Sequence, residues 1–267
     1  MKILVLGAGG MAGHTISEYL CKKGHDVSGF ARKRISHCKY IEGDARNPKL
    51  LSNLIKDGEF DSVINCIGIL NQFAENNKDM AVYLNSYFPH FLADITKDMK
   101  TQIIHMSTDC VFSGKKGNYT EKDFKDGETF YDRSKALGEL EDQKNITFRT
   151  SIVGPDINEN GIGLFNWFMR QDGLIKGYSK VFWTGITTLH LAQAMEKAAE
   201  AKSSGLHNMV NNSCISKYEL LKLFNKHFKN NKLDIIENDE IVLNKSLKRE
   251  NFNLDFEVPD YEKMVYE

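Results

Sequence analysis

The sequence predicts an α/β fold, with a doubly wound parallel sheet followed by a smaller C-terminal α/β domain. Short apolar runs rich in β-branched residues alternate with longer amphipathic stretches through the first half of the 267-residue chain. A glycine-rich segment follows the first apolar run, and the alternation fades after about residue 150. Because parallel strands must be joined by long crossovers, which are usually helices, this alternation indicates a parallel sheet with helices on both faces.

The predicted strands are short and are bounded by polar residues or glycine. They are Ile3–Leu6, Asp26–Phe30, Ser62–Ile67, Gln102–Met106 and Ile146–Arg149. Helical periodicity predicts the connecting helices, which are Met11–Lys23, Asn47–Lys56, Asp79–Met99 and Tyr131–Asp142. Pro89 falls inside the third helix, and we expect it to bend that helix or to mark a boundary, because proline cannot donate a helical hydrogen bond.

The second half predicts a smaller domain that returns to the sheet. After a loop-rich stretch, two amphipathic helices are predicted over Thr188–Lys202 and Ser216–Phe228. Ser216 is suited to cap the second helix, with Glu219 completing a capping box. We expect residues 1–150, with a returning segment over about 186–210, to form the first domain. Residues of about 151–185 and 211–267 would form the second.

Composition excludes several classes of protein. Hydrophobic residues make up 41% of the chain and charged residues 27%, as in ordinary globular proteins. A formal net charge of -1 gives no broad electrostatic reason to expect binding to nucleic acid or to an acidic membrane. The apolar run Ile3–Leu6 is shorter than the roughly 7–15 residues of a secretory signal. No stretch approaches the roughly 20 apolar residues of a membrane span.

Cysteine and histidine usage points to a reduced compartment without a metal site. The five cysteines are odd in number, widely spaced and without a C-x-x-C pair, which favours free thiols over a disulfide framework. The eight histidines show no metal-ligand spacing. We therefore expect a cytoplasmic protein that binds no metal.

The glycine-rich segment directly after the first strand predicts a dinucleotide site and makes the sheet Rossmann-type. It fits G-x-x-G-x-x-G with Gly7, Gly10 and Gly13, and G-x-G-x-x-A with Gly7, Gly9 and Ala12. Such a loop turns tightly and lets backbone amides at a helix N-terminus approach a pyrophosphate. A glycine-rich turn alone is weak evidence, but its position between the first strand and a helix strengthens it. A plain tight turn is the alternative.

The end of the second strand favours NADP(H) over NAD(H). An NAD site usually places an acidic residue about 20 residues after the glycines, where it binds the ribose 2′-hydroxyl. Here the strand runs into the basic residues Arg32 and Lys33, which could pair with a 2′-phosphate. A solvated cationic turn is the alternative interpretation.

Tyr131 and Lys135 form a Y-x-x-x-K motif at the start of a predicted helix. Four residues apart, the two side chains lie on one helix face. An ammonium near a phenol stabilises the phenolate, so Lys135 is expected to lower the pKa of Tyr131 and to assist proton exchange with a carbonyl or alcohol. The motif is weak by itself because one chance match is expected in this chain.

The segment before this motif carries a family resemblance. Ser107–Gly114 reads S-T-D-C-V-F-S-G, and Tyr131 stands 23 positions after its Thr108. With the glycine loop, this order and spacing resembles the extended short-chain dehydrogenases, and within them the dTDP-4-dehydrorhamnose reductase family. The resemblance covers about residues 1–200 well and the remainder loosely.

The resemblance implies roles for individual residues. Tyr131 would donate the proton, Lys135 would hold the nicotinamide ribose, and Thr108 would bind the substrate carbonyl. Asp44 would face the adenine, and Gly68 would let the cofactor pass close to its strand. The full set of implied cofactor-binding residues is Gly7, Gly10, Met11, Gly13, Arg32, Lys33, Asp44, Ala45, Cys66, Gly68, Tyr131 and Lys135.

Substrate-binding roles are implied for a second set of residues, namely Asn85, Asp109, Trp183, Thr184 and Lys245. Three of them have alternatives. Asn85 could be merely a helix cap or a solvated side chain. Trp183 could stack on a sugar or belong to the core. Lys245 could meet a diphosphate or lie on a solvated loop, and it stands where the family more often has an arginine.

Of the reactions that share this framework, reduction is favoured. Sugar dehydratases of the superfamily place Asp-Glu after the catalytic threonine, whereas this chain has Asp109 and then Cys110, so the carboxylate base is missing. We therefore expect NADPH-dependent reduction of a nucleotide-linked 4-keto-6-deoxy sugar. An epimerase, a reductase of an unrelated small ketone and a non-catalytic NADP-binding regulatory subunit stay open. An apolar face over Asp79–Met99 would suit a homodimer.

Overall fold

The computed structural model describes residues 1–158, 161–250 and 254–267. The first half contains strands β1 to β6 and helices α1 to α6. The strands are β1 (Lys2–Leu6), β2 (Asp26–Ala31), β3 (Lys39–Glu42), β4 (Ser62–Asn65), β5 (Gln102–Ser107) and β6 (Ile146–Arg149). The helices are α1 (Met11–Lys22), α2 (Pro48–Gly58), α3 (Asn71–Asn76), α4 (Lys78–Ala81), a π-helix (Val82–Tyr87), α5 (Phe88–Ile95), a 3₁₀ turn (Asp109–Val111) and α6 (Phe130–Leu137).

The second half contains shorter strands and four further helices within the described ranges. The strands are β7 (Ile152–Val153), β8 (Leu174–Tyr178), β9 (Val181–Trp183), β10 (Ile186–Thr187), β11 (Gly205–Asn208), β12 (Ile215–Ser216), β13 (Asp234–Asn238) and β14 (Leu243–Asn244). The helices are α7 (Leu164–Met169), α8 (Thr188–Ala201), α9 (Lys217–Phe228) and α10 (Tyr261–Tyr266).

A seven-stranded parallel sheet forms the larger part of the molecule, in the order β11-β6-β5-β4-β1-β2-β3. The chain builds outward from β1 to β3 on one side and from β4 to β6 and β11 on the other. The predicted doubly wound parallel sheet is therefore confirmed. The order reverses between β1 and β4, and ligands of such sheets bind at the carboxyl ends of the strands beside this reversal.

The first strand shows why the sheet is covered on both faces. Ile3 and Val5 belong to one hydrophobic cluster, together with residues of α1 and α8. Leu4 and Leu6 belong to a second cluster, together with residues of α2 and α5. Because successive strand residues point to opposite faces, a continuous apolar run is what a strand buried on both sides requires.

The smaller sheets lie in the second half of the chain. One has three strands in the order β12-β9-β14, one pairs β13 with β8, and one pairs β10 with β7. The returning segment leads through α8, which packs against α1, into β11, which pairs with β6 at the edge of the large sheet. Among the residues that the structure describes, we find no helix with the length and apolar content needed to cross a bilayer.

Three predicted boundaries differ from the structure, each for a local reason. The predicted helix over Asp79–Met99 is divided into α4, the π-helix and α5, and Pro89 lies in the first turn of α5. The predicted helix over Tyr131–Asp142 ends at Leu137, followed by Gly138 as its C-cap. The predicted strand Ser62–Ile67 ends at Asn65, whose side-chain oxygen accepts a hydrogen bond from the backbone N–H of Ile67.

Two further details were predicted incompletely. Ser216 caps α9 by accepting a hydrogen bond from the backbone N–H of Glu219 at 3.1 Å. The Glu219 carboxylate instead meets Lys222 at 3.4 Å, so the structure shows half of the expected capping box. Strand β3 was not predicted, because its residues, K-Y-I-E, carry a weak apolar pattern.

Candidate active site

The glycine loop joins β1 to α1 at the reversal point of the sheet. Gly7 has a φ of 84°, which favours glycine, and its backbone N–H donates to the carbonyl of Phe30 at 2.9 Å. Helix α1 begins after Gly10 with no side-chain cap and no acidic residue in its first turn. The uncapped amides and the positive end of the helix dipole therefore form a site suited to an anion such as a pyrophosphate.

Two alanine substitutions in this loop are expected to separate folding from cofactor binding. A Cβ at Gly13 would lie 2.2 Å from the Gly7 carbonyl oxygen, so Gly13→Ala should destabilise the fold by about 1–3 kcal/mol. A Cβ at Gly10 would lie 3.5 Å from the same oxygen, and its φ of -98° suits alanine. Gly10→Ala should therefore keep its stability but lose dinucleotide affinity, because the new methyl group lies at the anion site.

Denaturant unfolding and NADP⁺ titration of both variants check this prediction. Equal stability of Gly13→Ala and the unmodified protein would contradict the close packing of the loop. Unchanged NADP⁺ affinity in Gly10→Ala would contradict the placement of the pyrophosphate.

Basic and acidic side chains meet beyond the ends of β2 and β3. Arg32 and Lys33 are exposed, and Asp44 lies close enough to Arg32 for the arginine to contribute to lowering its pKa. Hydrogen bonds from Arg46 are the main cause that lowers the pKa of Asp44 to about 2. The Arg46 guanidinium lies 2.7 Å from the Asp44 carboxylate. The backbone carbonyl of the buried Ala45 accepts a hydrogen bond from the Tyr83 hydroxyl at 3.2 Å. Arg46 was not predicted, although it stands two residues after Asp44.

Helix α6 carries Tyr131 and Lys135 and is positioned by its first turn. Thr129 and Asp132 form a reciprocal capping box, with hydrogen bonds of 3.1 and 3.2 Å. The backbone N–H of Phe130 donates to the Glu75 carboxylate at 2.6 Å. These contacts fix the start of the helix, so Tyr131 and Lys135 project one turn apart from the same face.

Lys135 is buried beside the carboxyl ends of β4 and β5. Its ammonium group donates to the carbonyl of Met106 at 2.7 Å and lies 4.0 Å from the point where a Cβ at Gly68 would stand. Burial lowers the pKa of Lys135 to about 8, against the attraction of Glu139 and Cys66. Burial also raises the pKa of Cys66 to about 12, so this thiol stays neutral. The predicted residues Cys66, Gly68 and Lys135 thus lie together.

The phenol of Tyr131 is neutral in this structure, which differs from the sequence-based expectation. Burial and the neighbouring Cys110 raise the pKa of Tyr131, and a hydrogen bond with Thr108 opposes the shift. Lys135 is not among the largest influences on this pKa, which is raised overall and not lowered as expected. A protonated phenol is the form that donates a proton to a carbonyl oxygen.

Thr108 stands at the carboxyl end of β5, next to the Tyr131 phenol. Its hydroxyl accepts a hydrogen bond from the backbone N–H of Cys110 at 3.1 Å and donates to Asp109 at 3.2 Å. Burial raises the pKa of the Asp109 carboxyl. The hydroxyl of Thr108 and the phenol of Tyr131 therefore come together as two donors that could converge on one oxygen atom.

A buried charge network lies behind these residues. Glu139 and Arg149 have fully buried side chains and form a bidentate ion pair at 2.7 and 2.8 Å. Glu139 also accepts a hydrogen bond from Ser107 at 2.7 Å and meets Lys125 at 3.0 Å. The sequence analysis did not predict this network. Glu139 stands four residues after Lys135, just beyond the Gly138 C-cap of α6.

Asn85 has no surface for a substrate to contact in this structure. It is fully buried on the π-helix, where its side chain bonds the backbone of Ile69 at 2.8 and 2.9 Å and the hydroxyl of Ser134 at 3.0 Å. It therefore connects the loop after β4 to helix α6. This is a positioning contact, which the sequence interpretation of Asn85 as a substrate ligand did not include.

The remaining predicted substrate residues lie on or next to the three-stranded sheet. Trp183 is buried, its ring faces Tyr261 at 5.8 Å, and the Lys217 ammonium lies 5.0 Å from its centroid. As placed here, Trp183 is a core side chain, which is the alternative that the sequence left open. The buried hydroxyl of Thr184 accepts a hydrogen bond from the backbone N–H of Leu247 at 2.9 Å, so it holds the segment that carries Lys245.

Lys245 lies near the turn that follows Thr108 and near the start of α6. Its ammonium group is 3.9 Å from the Asp132 carboxylate, and it attracts the carboxylate of Asp109. Met11 lies at the opposite side of the glycine loop, 3.2 Å from the point where a Cβ at Gly163 would stand. The structure therefore places Lys245 beside Asp109 and Asp132, and Met11 at the start of α1 beside Gly163.

Within the described ranges, one group of side chains of the types that bind metals lies close together. Its members are His25, Glu196 and Glu200, whose potential ligand atoms lie within 4.8 Å of one another. Glu196 is already engaged by His25 at 2.8 Å and by the Tyr19 hydroxyl at 2.7 Å. These contacts account for the cluster as a hydrogen-bond network that joins Tyr19 of α1 and the following His25 to α8.

Similarity to known proteins shows which family the chain belongs to. A family model described as the RmlD substrate binding domain matches residues 1–252. The chain belongs to this family. A dTDP-4-dehydrorhamnose reductase of Burkholderia thailandensis is 31% identical over 224 residues, covering 78% of this chain and 72% of that protein. The resemblance inferred from the motifs is therefore confirmed.

Solved structures of RmlD relatives and other sugar-nucleotide proteins share the fold. A dTDP-4-dehydrorhamnose reductase from Bacillus anthracis in complex with NADP has a TM-score of 0.84 and 20% identity, covering 99% of this chain and 97% of that chain. MoeE5 in complex with UDP-glucose and NAD has a TM-score of 0.78 and 14% identity, covering 99% and 96%. At these identities the likeness shows the fold alone.

Proposed function

We propose that this RmlD family member reduces the ketone of a nucleotide-linked 4-keto-6-deoxy sugar with NADPH, and that Tyr131 donates the proton. The observation that carries the proposal is the grouping of Thr108, Tyr131 and Lys135 at the carboxyl end of β5, with the phenol neutral. The names of the relatives support it, since a 31% identical protein is a dTDP-4-dehydrorhamnose reductase.

The residues of the site suit a bound dinucleotide. The uncapped start of α1 would receive the pyrophosphate, and Lys135, which lies beside Gly68, would hold the nicotinamide ribose. A reduced nicotinamide supplies a hydride when bound. The chain itself would hold the substrate oxygen with Thr108, move a proton to that oxygen from Tyr131, and hold the ribose through Lys135.

Residues 1–150, with the returning segment of about 186–210, would form the cofactor-binding domain in this proposal. The substrate-binding domain would comprise about 151–185 and 211–267. Supporting this division, β11 pairs within the large sheet and β12, β9 and β14 form a sheet of their own.

Reduction is favoured over dehydration by the state of Cys110. This residue stands where dehydratases carry a carboxylate base. Burial and the charge of Asp109 raise the pKa of the Cys110 thiol to about 12, so the thiol stays protonated near neutral pH. A neutral thiol cannot remove the sugar C5 proton, because a general base must be unprotonated.

The preference for NADPH is expected to depend on Arg32. Arg32→Ser should weaken NADPH binding by about tenfold and leave NADH binding unchanged, because only NADPH has a 2′-phosphate for a charge-assisted hydrogen bond. Arg34→Ser is the matched control, since Arg34 is exposed two residues away. Fluorescence titration of both cofactors gives the measurement. An equal loss for NADPH and NADH in Arg32→Ser would contradict the assignment.

The function itself is tested by single-turnover oxidation of NADPH with a panel of nucleotide-linked 4-keto-6-deoxy sugars. Loss of NADPH absorbance with one member of the panel would establish the reductase and identify its sugar. Tight NADPH binding without oxidation of any member would instead support an epimerase or a regulatory subunit.

A further inference from the structure

Two lysines leave the three-stranded sheet on opposite sides of the same residue. Ser216 on β12 and Asn244 on β14 both pair with Phe182 on the central strand β9. Lys217 directly follows β12, and Lys245 directly follows β14. Because β12 runs antiparallel to β9 and β14 runs parallel to it, Lys217 leaves toward Val181 and Lys245 toward Trp183. With strands about 4.8 Å apart and a rise of about 3.3 Å per residue, the two backbones are then roughly 12 Å apart. Long, flexible lysine side chains can close around one anion across such a span.

Both lysines face the turn that follows Thr108. Lys217 and Lys245 both attract the Asp109 carboxylate, and Lys217 also interacts with the adjacent Cys110. Lys245 packs on this turn as well, because its Cγ lies 3.0 Å from the Cβ position at Gly114. The small sheet therefore presents two ammonium groups to the catalytic turn.

The charge of Lys217 is only loosely compensated within the described chain. No described carboxylate lies within 4 Å of its ammonium group, which rests 5.0 Å from the ring centroid of Trp183. Lys245 is 3.9 Å from Asp132, whose carboxylate already caps the start of α6. A half-buried cation beside a reaction site with no close counterion is the arrangement that an anionic ligand completes.

We propose that Lys217 and Lys245 together bind the diphosphate of the sugar nucleotide, with the sugar directed toward Thr108 and Tyr131. This inference rests on the proposed function for its substrate class, and it adds Lys217 to the substrate site. Trp183 then acts through Lys217, because its ring supports the ammonium group rather than stacking on the sugar.

The test measures dTDP binding to the NADP⁺-saturated protein by calorimetry. Lys217→Met keeps the apolar stem on Trp183 and removes the charge, so dTDP affinity should fall by about tenfold or more. Lys217→Arg should retain affinity within about threefold, since it keeps the charge. Lys222→Met is the matched control, because Lys222 also lies over an aromatic ring, 5.1 Å from Tyr218, but on the exposed side of α9.

A pH titration of the unmodified protein tests the same point without a substitution that could disturb folding. Burial lowers the pKa of Lys217 to about 8, so the ammonium form and the dTDP affinity should decline between pH 7 and pH 9. The groups facing Lys217 are Asp109, whose pKa burial raises, and Cys110, whose pKa of about 12 keeps it neutral. Lys217→Arg should remove this decline.

The outcomes separate this inference from the proposed function. If the unmodified protein binds dTDP and Lys217→Met binds it with the same affinity, the role of Lys217 is overturned. The reductase proposal is then unaffected. Wild-type protein that binds NADP⁺ but none of dTDP, UDP, GDP, ADP and CDP overturns both, because the substrate would then not be a sugar nucleotide. Loss of NADP⁺ affinity in Lys217→Met would also overturn the inference, since the effect would then not be confined to the substrate side.

Discussion

Tyr131→Phe is expected to lower kcat/KM for ketone reduction by about a thousandfold, since a positioned proton donor typically contributes 10²–10⁴-fold. The substitution removes one oxygen atom and leaves the ring packed in its small hydrophobic cluster. NADPH affinity should therefore change by less than about twofold, because Lys135 keeps its hydrogen bond to Met106. Stopped-flow oxidation of NADPH with the identified sugar, together with a fluorescence titration of NADPH, measures both quantities.

Tyr266→Phe is a suitable control for Tyr131→Phe, since Tyr266 is exposed on the last helix and lies outside the site. It should be fully active. If Tyr131→Phe retained more than about a tenth of the activity, the proton would have to come from another group. Thr108 is the side chain next to the phenol that could then be tested.

Glu139→Gln is expected to destabilise the protein by about 3–5 kcal/mol, the range measured when one partner of a buried ion pair is removed. The substitution leaves the guanidinium of Arg149 charged, fully buried and without its bidentate carboxylate. It also removes the charge that Lys125 meets at 3.0 Å. For a protein of this size the melting temperature should fall by roughly 10 °C. Urea unfolding and calorimetry provide the measurement.

Glu141→Gln is the matched control for Glu139→Gln. Glu141 pairs with the same Lys125 at 2.7 Å, but its side chain is exposed. Exposed ion pairs contribute about 0–1 kcal/mol, so this variant should be close to the unmodified protein. Similar destabilisation by both substitutions would show that burial of the Glu139–Arg149 pair is not the cause.

The same Glu139 variant should change the pH dependence of activity. Burial lowers the pKa of Lys135 to about 8, and the negative charge of Glu139 is the largest influence that raises it. Without that charge the pKa of Lys135 falls further. Activity that depends on the ammonium form, which is lost as pH rises through its pKa, should then decline at a lower pH than in the unmodified protein. If activity of Glu139→Gln declined at the same alkaline pH as that of the unmodified protein, the coupling of Glu139 to Lys135 would be contradicted.

Helix α6 shows how much of the candidate site can be predicted from the spacing of residues along the chain. Tyr131 and Lys135 stand four residues apart, and helix geometry alone places them on one face. What spacing could not show was the electrostatic environment. The pKa of Tyr131 is raised and not lowered as expected, because burial of the phenol is the largest influence on it.

Asn85 and Trp183 show where interpretation of single residues fails. Both residue types occur in binding sites and in protein interiors, and nothing in the neighbouring sequence distinguishes the two cases. In the structure the Asn85 side chain is hydrogen-bonded to Ile69 and Ser134, and the Trp183 ring packs against Lys217 and Tyr261. Their partners lie far away along the chain, so only the packed structure assigns them.

The amino-acid pattern was sufficient to predict the parallel sheet, the glycine loop after the first strand and the placement of Tyr131 and Lys135 on one helix face. These features depend on periodicity and short spacing, which are properties of the local chain. The tertiary structure alone decided the burial that sets each pKa, the Glu139–Arg149 ion pair and the approach of Lys217 and Lys245 to Asp109. Those features join residues from separate elements, and their energies depend on desolvation and distance, which a linear sequence does not specify.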